Sequence, residues 1–343
     1  MSITKPNILL IYTGGTIGMI KDSKTGALRA FDFSNLSKRI PELNLLDCGI
    51  QTISFEEPID SSNMNLQYWA QIATIIEENY SKFDGFVVLH GSDTMSYTAS
   101  ALSFMLENLG KPVIFTGSQL PIGDLRTDAK ENLITSIQIA SLQENNKPVI
   151  QEVGLYFEYK LYRANRTTKI NAEHFEAFAS LNYPDLAESG VHLKVNNECL
   201  LRPKKASKLK VFKDFNENIA LVKLFPGISK ALLESIFNTE NLKGIILETY
   251  GAGNCTTENW FIELLEKTIK KGIHIINVTQ CSGGSVAMGQ YETSEKLKNI
   301  GIISGKDITT EAAICKLMYL LGRKIMPKTF KITFETPLRG EMA

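Results

Sequence analysis

The sequence predicts an α/β protein of two α/β domains: a larger N-terminal doubly wound, mostly parallel sheet and a smaller C-terminal parallel-sheet domain. Short apolar runs alternate along the chain with longer segments of helical period, the rhythm of parallel strands joined by crossover helices. Several of those runs open into loops rich in glycine, hydroxyls and carboxylates. The alternation lapses once, around residues 201–208, where basic residues cluster, and then resumes.

Residues 7–12 read as the first strand and 62–80 as a helix capped by Ser62/Asn63, with Met64, Trp69, Ile72, Ala73 and Ile76 on one face. A second strand follows at 86–89, then a helix over 94–109 stopped by Gly110. A third strand at 113–116, a helix from about Asp128 to Gln143 and a strand near 149–155 complete the first half. After the break, strands at 219–224, 244–247 and 273–278 alternate with helices at 229–238, 257–271 and 309–322. The expected organisation is a domain over 1–190, a linker over 191–212 and a second domain over 213–343. The lysines of the break read as a solvated connector; without interleaved aromatics they do not make a nucleic-acid patch.

A chain of 343 residues buries a core without metal or disulfide staples. Lys plus Arg and Asp plus Glu number 37 each, so no net field draws it to nucleic acid or a membrane, and a small-molecule partner is expected. Five scattered cysteines, Cys48, Cys199, Cys255, Cys281 and Cys315, lack a C-x-x-C pair and fit a reducing, cytoplasmic setting. The N-terminus lacks the signature of a secretory signal, and no apolar run approaches the roughly 18 to 20 residues of a membrane span. The four histidines lack the spacing of a helix-borne metal pair, so no metal enzyme is expected.

In open parallel sheets ligands bind beyond the carboxyl ends of the strands. The residues there are Thr13-Gly14-Gly15-Thr16, His90-Gly91-Ser92-Asp93-Thr94 and Gly117-Ser118-Gln119, with Asp60-Ser61-Ser62-Asn63 before the long helix. They are poor in Lys and Arg, and the opening loop matches neither G-x-x-x-x-G-K-[ST] nor G-x-G-x-x-G, which argues against a phosphate site. The double glycine lets backbone N–H groups face a cleft and hold an oxyanion or carboxylate, presenting Thr16. A threonine hydroxyl needs a base or a lowered pKa. Ser92 and Asp93 supply a second hydroxyl and a carboxylate, and Asn165-Arg166-Thr167-Thr168-Lys169 is one polar cluster holding a lysine. Blander readings stand beside these: a strand-to-helix turn for Thr13–Thr16, caps for Ser62/Asn63 and Asp93/Thr94, a packed strand-end residue for His90 and core for Tyr97, Phe104 and Met105.

With those loops assembled, the chain resembles the bacterial type I (cytoplasmic) L-asparaginase family. The likeness lies in Tyr12-Thr13-Gly14-Gly15-Thr16-Ile17-Gly18, in Leu89-His90-Gly91-Ser92-Asp93-Thr94-Met95 and in Tyr250-Gly251-Ala252-Gly253-Asn254, with further matches at Ile59–Ser62, Thr116–Pro121, Asn165–Lys169 and Thr279–Cys281. The resemblance implies hydrolysis of L-asparagine to L-aspartate and ammonia, without metal or cofactor. It implies Thr16 as nucleophile of an acyl-enzyme, with Ser92, Asp93 and Lys169 as the second catalytic group. It also implies Ser61 for the substrate α-carboxylate, Asp93 for the α-amino group, Asp60 and Gly91 lining the pocket and Ser118 close by. A homotetramer of intimate dimers is implied too, with Asn254 near a neighbour's pocket.

The chain departs from the family pattern at particular positions. Ser92 stands where Gly-Thr-Asp-Thr is usual, losing the β-branch that fixes a rotamer, so slower turnover is expected. The segment Thr25-Gly26-Ala27-Leu28-Arg29 offers no tyrosine, and Glu248 replaces an arginine associated with a regulatory site, so allostery is not carried over. The alternatives are a non-catalytic amino-acid-binding module and the ammonia-releasing component of an amidotransferase. The latter carries an extra N-terminal domain, for which a first strand at residue 7 leaves no room. Retention of Thr16, Ser92, Asp93 and Lys169 together weighs against the binding module.

Overall fold

A computed structural model describes residues 5–21, 28–30, 40–202, 208–289 and 292–343. Residues 25–27 of the segment without tyrosine and 203–207 of the expected linker lie outside these. The chain divides into two compact units, Met1–Lys213 and Asp214–Ala343.

The first unit is built on an eight-stranded sheet. Its strands are β1 (Asn7–Gly14), β2 (Gly49–Ile59), β3 (Gly85–Leu89), β4 (Val113–Thr116), β5 (Val153–Phe157), β6 (Lys160–Arg163), β7 (Ala187–Ser189) and β8 (Leu193–Val195). Among the described residues three α-helices accompany them: α1 (Leu66–Asn79), α2 (Met95–Met105) and α3 (Ala129–Ser141). The order across the sheet is 8-7-6-5-4-3-1-2; β2, β1, β3, β4 and β5 are parallel and the rest antiparallel. The parallel part thus runs 2-1-3-4-5, a doubly wound order whose switch point falls between β1 and β3. Ile8 to Tyr12 are each at most 1% exposed, because layers cover both faces; this is why the strand reads as a continuous apolar run. Ile8, Leu10 and Tyr12 join Leu133 and Ile137 of α3 in one core cluster, and Trp69 on α1 donates to the Thr98 hydroxyl on α2 at 3.1 Å.

The elements depart from expectation where local hydrogen bonding wins. The cap of α1 is Asn65, whose side chain accepts from the Gln67 and Tyr68 N–H groups, and Ser62/Asn63 form a separate 3₁₀ turn capped by Asp60. Helix α2 ends before Gly110 because Leu106–Glu107 pairs with Lys210–Val211 and Asn108 turns at φ 61°. The expected linker 191–212 is largely part of the first unit. Residues Leu193–Val195 pair with β7, and Glu152 accepts the Leu201 N–H at 2.7 Å while held by Arg163 at 2.6 Å, which pins the chain to the sheet.

The second unit is a parallel four-stranded sheet in the order β9 (Ile219–Lys223), β10 (Gly244–Thr249), β11 (His274–Thr279) and β12 (Ile303–Ser304). Its helices are α4 (Lys230–Phe237), α5 (Asn259–Lys270), α6 (Glu292–Asn299), α7 (Thr310–Gly322) and α8 (Pro327–Glu335). Ser229 and Thr309 cap α4 and α7, their hydroxyls accepting from the Leu232 and Ala312 N–H groups. No helix of the described residues is long and apolar enough to cross a membrane, and among them no His, Cys, Asp and Glu group together as a metal site.

Candidate active site

At the carboxyl edge of the first sheet the loops after β1, β2 and β3 touch through atoms that leave no room for larger residues. Gly15 adopts φ 86°, and a Cβ there would come 2.5 Å from the Gly91 Cα and N. A Cβ on Gly91 would lie 2.5 Å from the Ser61 Oγ. Glycine at both positions therefore lets Thr16, Ser61 and Ser92 hang from loops in direct contact. The Thr94 hydroxyl, expected as a cap, instead donates to the Ser61 carbonyl at 2.8 Å and ties the same loops together.

Each side chain has an identifiable holder. Thr16 opens a single 3₁₀ turn, Thr16–Gly18, closed by the Gly18 N–H on the Gly15 carbonyl at 3.1 Å. The Tyr12 hydroxyl reaches back to the Gly18 carbonyl at 3.1 Å, so the strand supports the turn that carries the hydroxyl. Asp60 accepts the Ser62 N–H at 2.8 Å, which holds its carboxyl below the usual range. Ser61 is buried.

In the loop after β3 lies His90, fully buried, whose Nδ1 donates to the Gly91 carbonyl at 2.7 Å; a carbonyl only accepts, so that nitrogen carries the proton. Burial pushes the imidazole down to about 4 and keeps it neutral at ordinary pH. It steadies the peptide before Ser92 and is itself shut off from solvent.

Lys169 comes from far downstream. Thr168–Lys169 forms a short antiparallel ribbon with Phe178–Ala179, and Asn165, just before it, donates to the Ser103 hydroxyl of α2 at 3.1 Å. This places Lys169 Nζ 2.9 Å from Ser92 Oγ and 2.7 Å from Asp93 Oδ1. The Asp93 side chain is 65% exposed and that of Lys169 18%, so in this chain the carboxylate faces solvent while the lysine is largely covered. An amine donating to a hydroxyl and a carboxylate together can pass a proton to or from the hydroxyl.

The loop after β4 is held from α3: the Asp128 carboxylate accepts the Gln119 and Leu120 N–H groups at 2.9 and 3.1 Å, and Asn132 donates to the Gly117 carbonyl at 3.0 Å. Ser118 is buried and donates to the Leu120 carbonyl at 2.6 Å, so it shapes the loop. Gln119 faces the pair instead, its Oε1 accepting from Ser92 Oγ at 3.2 Å. Sequence reasoning quoted Gln119 in the loop without giving it a place in the site; the signal was its position at a strand end beside Ser118.

Asn254 belongs to the second unit, where it closes a turn beyond β10 through reciprocal N–H to carbonyl bonds with Tyr250, each 2.8 Å. In the same unit the Glu248 carboxylate accepts from the Thr310 hydroxyl at 2.7 Å and sits 3.6 Å from Lys223, an internal use of the side chain that stands in the arginine's place.

Comparison with known proteins agrees with this layout. Residues 7–200 match the family described as Asparaginase, N-terminal, and residues 218–334 the Glutaminase/Asparaginase C-terminal domain. L-asparaginase 1 of Escherichia coli (strain K12) is 41% identical over 339 residues, covering 98% of each chain. The crystal structure of L-asparaginase I from Vibrio cholerae superposes with a TM-score of 0.90 at 38% identity, covering 99% of this chain and 100% of that one. The thermostable L-asparaginase from Thermococcus kodakarensis superposes with a TM-score of 0.88 at 29% identity, covering 98% of this chain and 99% of that one. A doubly wound sheet with glycine-packed loops at its switch point, matched over both units by family and by near full-length relatives, has one reading: the chain belongs to the asparaginase family.

Proposed function

We propose that the protein is an L-asparagine amidohydrolase, producing L-aspartate and ammonia. The observation that carries the reading is the contact of Lys169 with both Ser92 and Asp93, on a loop whose Gly91 abuts the Gly15 that precedes Thr16. Thr16 Oγ attacks the side-chain amide carbon; its proton passes to the departing nitrogen, and an aspartyl ester forms on Thr16. Water then attacks the ester, with Ser92 and Lys169 carrying the proton exchange. Backbone N–H groups of the glycine loop stabilise the developing oxyanion.

Ser61 and the backbone near Gly91 receive the substrate α-carboxylate, Asp93 pairs with the α-amino group, and Asp60 lines the pocket. Every group this chemistry calls for is a protein side chain or backbone amide. The working assembly is a homotetramer in which Asn254 approaches a neighbour's pocket, and the setting is cytoplasmic, in keeping with cysteines that are all free.

The test is ammonia release from L-asparagine and, side by side, from L-glutamine, by purified protein with a metal chelator present. Release from asparagine is expected. No release from either amide would overturn the reading. One methylene in the pocket separates the two substrates by only about 1 to 3 kcal/mol.

A further inference from the structure

The hydroxyl of Ser92 is held from two sides. Lys169 Nζ donates to its oxygen at 2.9 Å, and its own hydrogen goes to Gln119 Oε1 at 3.2 Å. The orientation of the Gln119 amide is set by its other end: Nε2 donates to the Ala172 carbonyl at 3.2 Å and the His174 carbonyl at 3.0 Å. Carbonyls only accept, so the nitrogen must face residues 172 and 174 and the oxygen must face Ser92. The backbone of Gln119 is fixed in turn by Asp128 at 2.9 Å.

A serine has three staggered χ1 wells open to it, whereas β-branching narrows a threonine's choice. Only the well that puts Oγ on Lys169 serves a proton relay. We propose that Gln119 is a positioning residue for Ser92, fixing by a hydrogen bond the hydroxyl that a β-branch would otherwise help to fix. The proposal rests on the asparaginase reading, since only turnover makes the orientation of Ser92 count. It also changes the expectation for Ser92 itself: a serine tethered at both its lone pair and its hydrogen need not be the slow replacement that the missing methyl suggests.

The rival is a Gln119 that merely ties the 172–174 segment to the loop after β4. Two substitutions separate these roles, since both remove the donor to the 172 and 174 carbonyls. Gln119→Met also removes the acceptor for Ser92, and Gln119→Glu keeps one. Each is made alone and with Ser92→Thr, and kcat, KM and Tm are measured on asparagine.

Gln119→Met is expected to lower kcat about tenfold, the loss of one good hydrogen bond, with a smaller change in KM. Ser92→Thr should then restore at least about half of that loss on a logarithmic scale, a larger gain than it gives in the wild-type background. Gln119→Glu should lose less than Gln119→Met and gain no more from Ser92→Thr than wild type does.

An unchanged kcat in Gln119→Met, no restoration by Ser92→Thr, or equal losses in the two Gln119 variants would overturn the proposal. If Gln119→Met does not fold, the Gln119→Glu background decides: a larger gain from Ser92→Thr there than in wild type contradicts the proposal. A wild-type protein inactive on asparagine refutes the function; an active one whose variants break the pattern refutes only the role of Gln119.

Discussion

Gly15 sits immediately before Thr16 at φ 86°, with the Gly91 backbone 2.5 Å from where a Cβ would stand. Gly15→Ala therefore combines strain of about 1 to 3 kcal/mol with a collision that only backbone movement relieves. It is expected to lower Tm and to remove most ammonia release. Gly272 makes the control: its φ is 84° but no atom lies within 4 Å of its Cβ position, so Gly272→Ala should cost stability alone. Equal activity in the two variants would show that the packing of the glycine loops does not govern the site. The nucleophile candidate and its serine and aspartate partners were legible because short motifs at strand ends carry them. The contact of Gln119 with Ser92 was not, because the residues that orient its amide come from the 172–174 segment, which only folding brings near.

The parallel strands were legible for a physical reason: covered on both faces, they are continuous apolar runs. Strand β2 escaped because it is the sheet's edge, with much of Gly49–Ile59 exposed and its pattern mixed. Strands β7 and β8 escaped because three residues carry no measurable period. What holds that antiparallel edge is the buried pair of Arg163 and Glu152, 4% and 3% exposed, through which the 199–201 segment is pinned. Removing one partner leaves a buried charge uncompensated, so Glu152→Ala should cost about 3 to 5 kcal/mol in urea unfolding. It should also admit proteolysis near residue 201. A variant with unaltered unfolding would mean that β7 and β8 are held by something other than this pair.

Across the molecule, the proposed chemistry draws on segments far apart in sequence. Thr16 comes from the first strand end, Ser92 and Asp93 from the third strand, and Lys169 from a ribbon beyond the parallel sheet; the 2-1-3-4-5 order puts the first two sources side by side. The family likeness pointed to these residues, and the physical reason the loops after β1 and β3 meet is the switch point, which appears only once β2 is recognised as the outer neighbour of β1. The boundary between the two units at 213/214 follows the same logic, since Lys210–Val211 still pairs with Leu106–Glu107 of the first unit. The central claim is that Thr16 supplies the nucleophile within this constellation. Ammonia release from L-asparagine by Thr16→Ala, read together with its thermal melting, tests it most directly. A fall of about a thousandfold or more in kcat with an unaltered Tm is predicted. Activity within tenfold of wild type in a folded Thr16→Ala protein would contradict it.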